Sequence, residues 1–325
     1  MKANPIAASG KRCTALGALI LLFLVQTARA VILLGSGDPG YNTTPPDGAL
    51  AGSGWQYQGT WGSFLGTPIA PQYFIAAHHV GGSIGQTLTF RGVPYKTTAF
   101  WDDPESDLRI WKVDGIFPDY APLYPASDEA GKLMVVFGRG TQRGEEVRVP
   151  LVQTTYTTNT ADLKSLGISK KAAQKEFPEA KFHGNTMTVV TVTITTNYIA
   201  KGWKAGLGDG VVRWGQSAVV GAGDFLVGAF CHEGGPNQAY LSSGDSSGAV
   251  FVLQNGTWKL AGINYGIEGP FGVSPADSFY GAIYDQTGLY REGYLVRDSG
   301  QPQPIRFFAS RVSNRLDWIR SIVNQ

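Results

Sequence analysis

The amino-acid sequence predicts an all-β protein. Glycine is abundant, at 43 of 325 residues. Long helical periodicity is scarce. Short runs of Val, Thr, Ile, Tyr and Phe recur between clusters of Gly, Pro, Asn and Asp, which is how strands alternate with tight turns in a sandwich or barrel.

The first thirty residues stand apart from this pattern. Lys2, Lys11 and Arg12 form a positive leader, followed by the apolar run Ala15 to Val25. That run is too short to cross a bilayer as a stable helix. Ala28-Arg29-Ala30 then offers small residues where a signal peptidase needs them. Residues 1–30 therefore read as a secretory signal, with the mature chain starting at Val31 and destined for the periplasm or the exterior. Cys13 falls in this leader, which leaves Cys231 as the single thiol of the mature chain. A small buried apolar side chain is the simplest role for it. Its neighbour His232 would point to the opposite face of a strand.

Beyond Val31, Gln86 to Phe90 and Val190 to Thr195 alternate apolar and polar residues, as half-buried strands do. The clearest hairpin joins Ala249–Gln254 to Thr257–Ile263 through Asn255-Gly256, a pair suited to the positive φ of a two-residue turn. Ala161 to Ala180 is rich in Lys, Ala and Glu and is expected to form a helix inserted over the β core, or a mobile loop. Ser313 to Val323 is expected as a terminal helix, capped by Ser313 or Asn314, with Leu316, Ile319 and Val323 on its apolar side.

Composition narrows the function classes. The chain carries 27 basic and 25 acidic side chains. Four of the basic ones lie in the leader, so the remainder is slightly acidic and has no footprint for nucleic acid. No other segment has the length of a transmembrane helix. No spaced His/Cys/Asp set suggests a zinc site. Asp102, Asp103 and Glu105 lack the spacing of a calcium loop and read as a solvated turn. No cofactor or metal is expected, and no membrane association after signal cleavage. A chain of this size buries roughly three quarters of its surface without disulfide staples. A monomer is the expectation.

The strongest chemical signal is Gly244-Asp245-Ser246-Ser247-Gly248. A serine hydroxyl is a poor nucleophile until a base takes its proton. Small neighbours let its Oγ protrude and let backbone N–H groups converge on an oxyanion. A glycine- and serine-rich hairpin loop is the bland alternative. The base must come from four histidines, at positions 78, 79, 183 and 232. His78 and His79 end the strand-like run Tyr73 to Ala77 and precede Gly81-Gly82. Asp107 heads the apolar run Leu108 to Val113, where a carboxylate can hold the tautomer of a nearby imidazole.

These segments resemble the chymotrypsin/trypsin family of serine proteases, in its secreted bacterial form. Gln72 to Val80 resembles the family's strand ending in Ala-Ala-His, Ser106 to Trp111 its Asp-Ile-Ala-Leu-Leu segment, and Gly244 to Gly248 its Gly-Asp-Ser-Gly-Gly. Leu260 to Gly266 resembles the strand lining the substrate cleft, and Asp317-Trp318-Ile319 the closing helix. The resemblance covers the chain from about Phe64 onward. It implies two packed antiparallel β-barrels with a C-terminal helix, the first within 31–135 and the second within 136–325, and a catalytic triad between them. It implies Ser246 as nucleophile, Asp107 as orienting carboxylate and a histidine as base, with protein or peptide substrates.

Ala-Ala-His at face value selects His78. Counting from Gln72-Tyr73 selects His79, the favoured reading, because small Ala76 then falls where the family keeps a small residue against the aspartate. The resemblance assigns the oxyanion hole to the N–H groups of Gly244 and Ser246. It makes Asp245 the partner of a freed N-terminal ammonium, here that of Val31. It puts the pocket floor at Tyr240, Gly266 on the pocket wall and Phe307 within reach, so small or apolar side chains are expected in the pocket. Departures are Ser247 for a glycine, absent cysteine bridges, a short His79-to-Asp107 spacing, and surplus residues over roughly 142–202 and 267–304. A protease fold that has lost catalysis and serves for binding is the alternative from another class. An α/β-hydrolase esterase needs the opposite residue order and a strand–helix elbow.

Overall fold

The computed structural model describes residues 31–324, so the expected signal segment 1–30, with Cys13, lies outside the described residues. The first strand, β1, is Ile32–Leu33. Strands β2 to β7 are Gly59–Trp61, Phe64–Ala70, Tyr73–Ala77, Thr87–Phe90, Val93–Asp102 and Leu108–Asp114. They close into an antiparallel barrel in the order β2-β3-β4-β7-β6-β5.

Successive side chains of a strand face opposite sides, and β4 uses both. Phe74 and Ala76 join Trp61, Leu88 and Trp111 inside the barrel. Tyr73, Ile75 and Ala77 face outward into the core shared with the second barrel. That double burial is why Tyr73 to Ala77 is an unbroken apolar run.

The second barrel begins with β8 (Leu133–Gly138). The boundary expected after residue 135 falls inside this strand, because Val135 and Phe137 pack toward the first barrel. A long excursion follows: β9 (Thr141–Asp162), α1 (Lys170–Glu176), β10 (Lys181–His183) and β11 (Thr186–Gly208). The barrel resumes with β12 (Arg213–Ala222), β13 (Phe225–Ala229), β15 (Ala249–Gln254) and β16 (Thr257–Ile267), while β14 (Ala239–Tyr240), between β13 and β15, lies outside the barrel ring. Short strands β17 (Phe271–Gly272), β18 (Gly281–Ile283), β19 (Tyr290–Arg291) and β20 (Tyr294–Leu295) precede β21 (Arg306–Arg311). Closure runs β12-β13-β21-β16-β15-β8.

The Asn255-Gly256 turn forms as expected, with φ of 50° and 75° and Gln254 opposite Thr257. The lysine-rich stretch 161–180 gives only the short α1, started by Ser169, whose hydroxyl accepts from the Ala172 N–H. It caps a two-stranded ribbon of β9 and β11, around a small core of Leu163, Ala173 and Met187.

The chain ends with α2 (Leu316–Val323), entered through a 3₁₀ turn at Ser313–Arg315. Neither Ser313 nor Asn314 caps it. The Ser313 hydroxyl donates instead to Glu129 at 2.6 Å, which also holds Arg311. Leu316, Ile319 and Ile322 are the buried side of α2, so Ile322 takes the place expected of Val323.

At the other end, β1 pairs with β14, Ile32 opposite Tyr240 and Leu33 opposite Ala239. Val31, Ile32 and Leu33 are all buried. An apolar start enters the second barrel because burying it stabilises, whereas polar groups there would need partners.

Candidate active site

Antiparallel pairing of β4 with β7 sets Ala77 opposite Leu108. The residues just beyond these ends, His79 on a 3₁₀ turn and Asp107, therefore meet. Asp107 accepts from the His79 backbone N–H at 2.9 Å through one oxygen. Its other oxygen lies 2.5 Å from His79 Nδ1. Two contacts from one carboxylate fix both the turn and the ring. His78 points elsewhere, with its Nε2 3.8 Å from Asp102.

Asp102, Asp103 and Glu105 are not simply a solvated turn. Asp102 is held by Arg109 at 2.5 and 2.9 Å, and that guanidinium keeps the Asp102 carboxyl below its usual range. Asp103 and Glu105 both grip Arg315 at the start of α2. The cluster ties the terminal helix to the loop before Asp107.

Ser246 lies in the connection between β14 and β15, wound around the buried Asp245. Asp245 N–H donates to Ser242 O at 3.0 Å. The flanking N–H groups of Gly244 and Ser246 donate to nothing else among the described residues. Two adjacent uncommitted donors are what a developing oxyanion requires. Gly244 has φ of 96°, and a Cβ there would sit 2.9 Å from the Gly140 Cα, so only glycine fits.

Ser247, set apart in the sequence only as a replacement for glycine, has a definite role. It is fully buried with φ of 66°, a left-handed conformation that costs a non-glycine residue roughly 1 kcal/mol. Its Oγ accepts from the Ala77 N–H at 2.9 Å, and its own N–H donates to Asn264 O at 2.9 Å. One side chain thus ties the nucleophile loop to the strand that ends two residues before His79. Among the described residues Ser246 Oγ has no hydrogen-bond partner, His79 included. Catalytic hydrogen bonds commonly tighten only when substrate arrives.

Ser246 opens onto a cleft of about 350 Å³, lined also by Leu241, Ser242, Asn264, Tyr265, Gly266 and Tyr280. A Cβ on Gly266 would meet nothing within 4 Å, so the wall there is open. Tyr265 stacks on Phe225 and presents its ring edge-on to His79, 6.0 Å between centroids.

Tyr240 does not line this cleft, contrary to its expected place at the floor. It is wholly buried, with its hydroxyl accepting from Glu268 N at 3.1 Å and donating to Arg306 O at 3.0 Å. Phe307, also expected near the pocket, is buried edge-on against it. Together with Phe230 they belong to the buried core of the second barrel. The nearby acid, Glu268, is neutralised by Arg306 and Arg291.

Asp245 receives Gly140 N–H and Ser242 N–H at 2.7 Å each, the Ser242 hydroxyl at 2.8 Å, and Val31 N at 3.2 Å from both oxygens. Burial pushes its carboxyl up to about 6, against the pull of these hydrogen bonds.

No family model matches the chain, and no curated protein does. Among solved structures it is similar to neuropsin, titled a serine protease expressed in the limbic system of mouse brain, with 9% identity and a TM-score of 0.44, covering 83% of this chain and 95% of neuropsin. Human heparin binding protein gives 12% identity and a TM-score of 0.44, covering 84% of this chain and 94% of that protein. The two closed six-stranded antiparallel barrels and the closing helix carry the assignment. The fold is chymotrypsin-like.

His183 lies at the ribbon tip in β10, and His232 packs against Tyr284. Cys231 is half-buried rather than fully enclosed, and burial pushes its thiol up, away from a reactive thiolate.

Proposed function

We propose that the chain is a secreted serine endopeptidase acting through His79, Asp107 and Ser246. The observation that carries this reading is the doubly bonded His79–Asp107 pair, fixed beside a cleft that Ser246 opens onto. In this mechanism His79 Nε2 takes the Ser246 proton as Oγ attacks the scissile carbonyl. Asp107 keeps the remaining ring proton on Nδ1 and stabilises the imidazolium. The N–H groups of Gly244 and Ser246 receive the oxyanion. His79 then protonates the leaving amine, and water, activated by the same imidazole, hydrolyses the acyl-enzyme.

Among the described residues no charged side chain lines the cleft, so a Lys or Arg side chain would lose its hydration without gaining a counter-charge. A serine-directed phosphonate with an apolar group labels Ser246 at least tenfold faster than one with a basic group, read by mapping the modified peptide. No label on Ser246 would overturn the protease assignment in favour of a non-catalytic binding protein. Faster labelling by the basic probe would overturn only the pocket reading.

Signal cleavage before Val31 would convert its N–H into an ammonium at the Asp245 carboxylate. Val31 has φ of 35°, an outlying value for a β-branched residue, and that torsion exists only while a residue precedes it. With the preceding peptide bond intact, the raised Asp245 pKa means that the folded state keeps its proton longer than the unfolded state. Stability then falls as pH rises from about 4 through about 6, by about 3 kcal/mol. An ammonium favours the ionised carboxylate and lowers its pKa, so the cleaved chain lacks most of this loss. A variant retaining one residue before Val31 is expected to show the acid-side maximum in thermal melts, and activity at pH 7 lower by about a hundredfold. Full activity in the extended form would reject the pairing.

A further inference from the structure

The β9–β11 ribbon pairs in unbroken register from Asp162–Thr186 to Arg148–Ala200. Residues 149–161 and 184–200 contain no Asp, Glu, Lys or Arg. Cross-strand partners share a face, and the two faces differ. One carries Val152, Tyr156, Val190, Val192, Ile194 and Tyr198, all between 49% and 69% exposed. The other pairs Thr191 with Thr157, Thr193 with Thr155 and Thr195 with Gln153. Among the described residues, neighbouring strands pair with β11 only at its ends, β18 at Gly202–Lys204 and β10 at Thr186–Thr188.

We propose that this apolar face is the contact surface of a homodimer, with the same face of a second copy as its occupant. Six side chains at these exposures present apolar area on the order of 600 Å² per copy. A patch of that size stands at the upper end of what a monomer exposes, where such patches mark interaction sites. Two such faces together bury about 1,200 Å², where stable, specific interfaces begin.

The absence of charge disfavours partners recognised by ion pairing, nucleic acid and charged peptides among them. It also leaves no basic groups to meet lipid headgroups, and inserting the open strand edges into hydrocarbon would strand their backbone groups. An identical ribbon meets neither objection. A two-fold axis near the Tyr156–Val192 pair lets the face meet itself, two sheets stacking about 10 Å apart with the threonine faces left in water. Composition, which led to the expectation of a monomer, does not reveal a face that exists only once two strands pair.

The test is sedimentation equilibrium of the purified chain, with circular dichroism as the check on folding. The wild type is expected as a dimer at micromolar concentration. Ile194→Lys weakens dimerisation at least a hundredfold, while Thr193→Lys, one residue away on the opposite face, leaves it within threefold. Both variants keep wild-type turnover of a small ester. A wild type that stays monomeric at 100 µM (a concentration chosen as roughly a hundred times the micromolar range) overturns the proposal. So does a dimer indifferent to Ile194→Lys, or a monomer that floats with phospholipid vesicles, which would assign the face to lipid.

Discussion

Ser246→Ala abolishes hydrolysis of peptides and esters, lowering turnover by a factor on the order of 10⁶. A loss that large is expected because, in the proposed mechanism, the hydroxyl supplies the covalent route and what remains comes from oxyanion donors and binding alone. The fold is expected to survive the change. Ser246 Oγ contributes no hydrogen bond among the described residues, whereas the loop around it is held by Asp245, Ser247 and Asn264 through bonds the substitution leaves intact. Thermal melts of the variant should match the wild type, while burst kinetics with an activated ester vanish. Undiminished activity in a contaminant-free preparation would sink the nucleophile assignment and the protease reading with it.

His79→Ala should cost nearly as much, and His78→Ala almost nothing. Both histidines follow the same strand, yet only one ring is tied to the carboxylate that stabilises an imidazolium. His78 lies half-exposed beside Asp102, whose oxygens Arg109 already occupies. It can neither be oriented by Asp107 nor reach the cleft without breaking the turn. In the proposed mechanism, removing His79 leaves the Ser246 hydroxyl with no acceptor for its proton, so turnover is expected to fall by about the same 10⁶ as on loss of the serine. Since the two residues act as a unit, the double variant with Ser246→Ala should be no worse than either single one. The His78→Ala variant should stay within twofold of wild type at all pH values. If instead His78→Ala is the inactive variant, the base moves to His78 and the orientation described for His79 has another purpose.

Sequence by itself determined what depends on short stretches of chain. The Asn255-Gly256 turn was legible because only such residues tolerate successive positive φ. The Ser246 loop stood out as a candidate site because Gly244 and Gly248 surround a serine with almost nothing else. The order of histidine, aspartate and serine narrowed the chemistry before any distance was known. The burial of Val31 to Leu33 was legible in their apolar character, which suits an interior more than a surface.

Tertiary structure decided whatever depends on the direction of a side chain or on residues far apart. Counting along the chain put Tyr240 at the pocket floor, whereas the fold places its ring in the core of the second barrel, because direction follows from the pairing of β14 with β1. The choice between adjacent histidines rested on two carboxylates, Asp102 and Asp107, that reach them only through the β4–β7 register. Ser247 looked like a minor replacement until Ala77, 170 residues earlier, supplied its donor. The Arg315 clamp on Asp103 spans 212 residues. The ribbon was hidden for the same reason: its strands look like ordinary alternating segments around a lysine-rich stretch with helical composition, and pairing alone gathers one strand's Val and Ile with the other's Tyr on a single face. A side chain carries its own polarity and its own turn preference wherever it sits, and these are written locally. Its partner is set by the path of the whole chain, and that is written only in the fold.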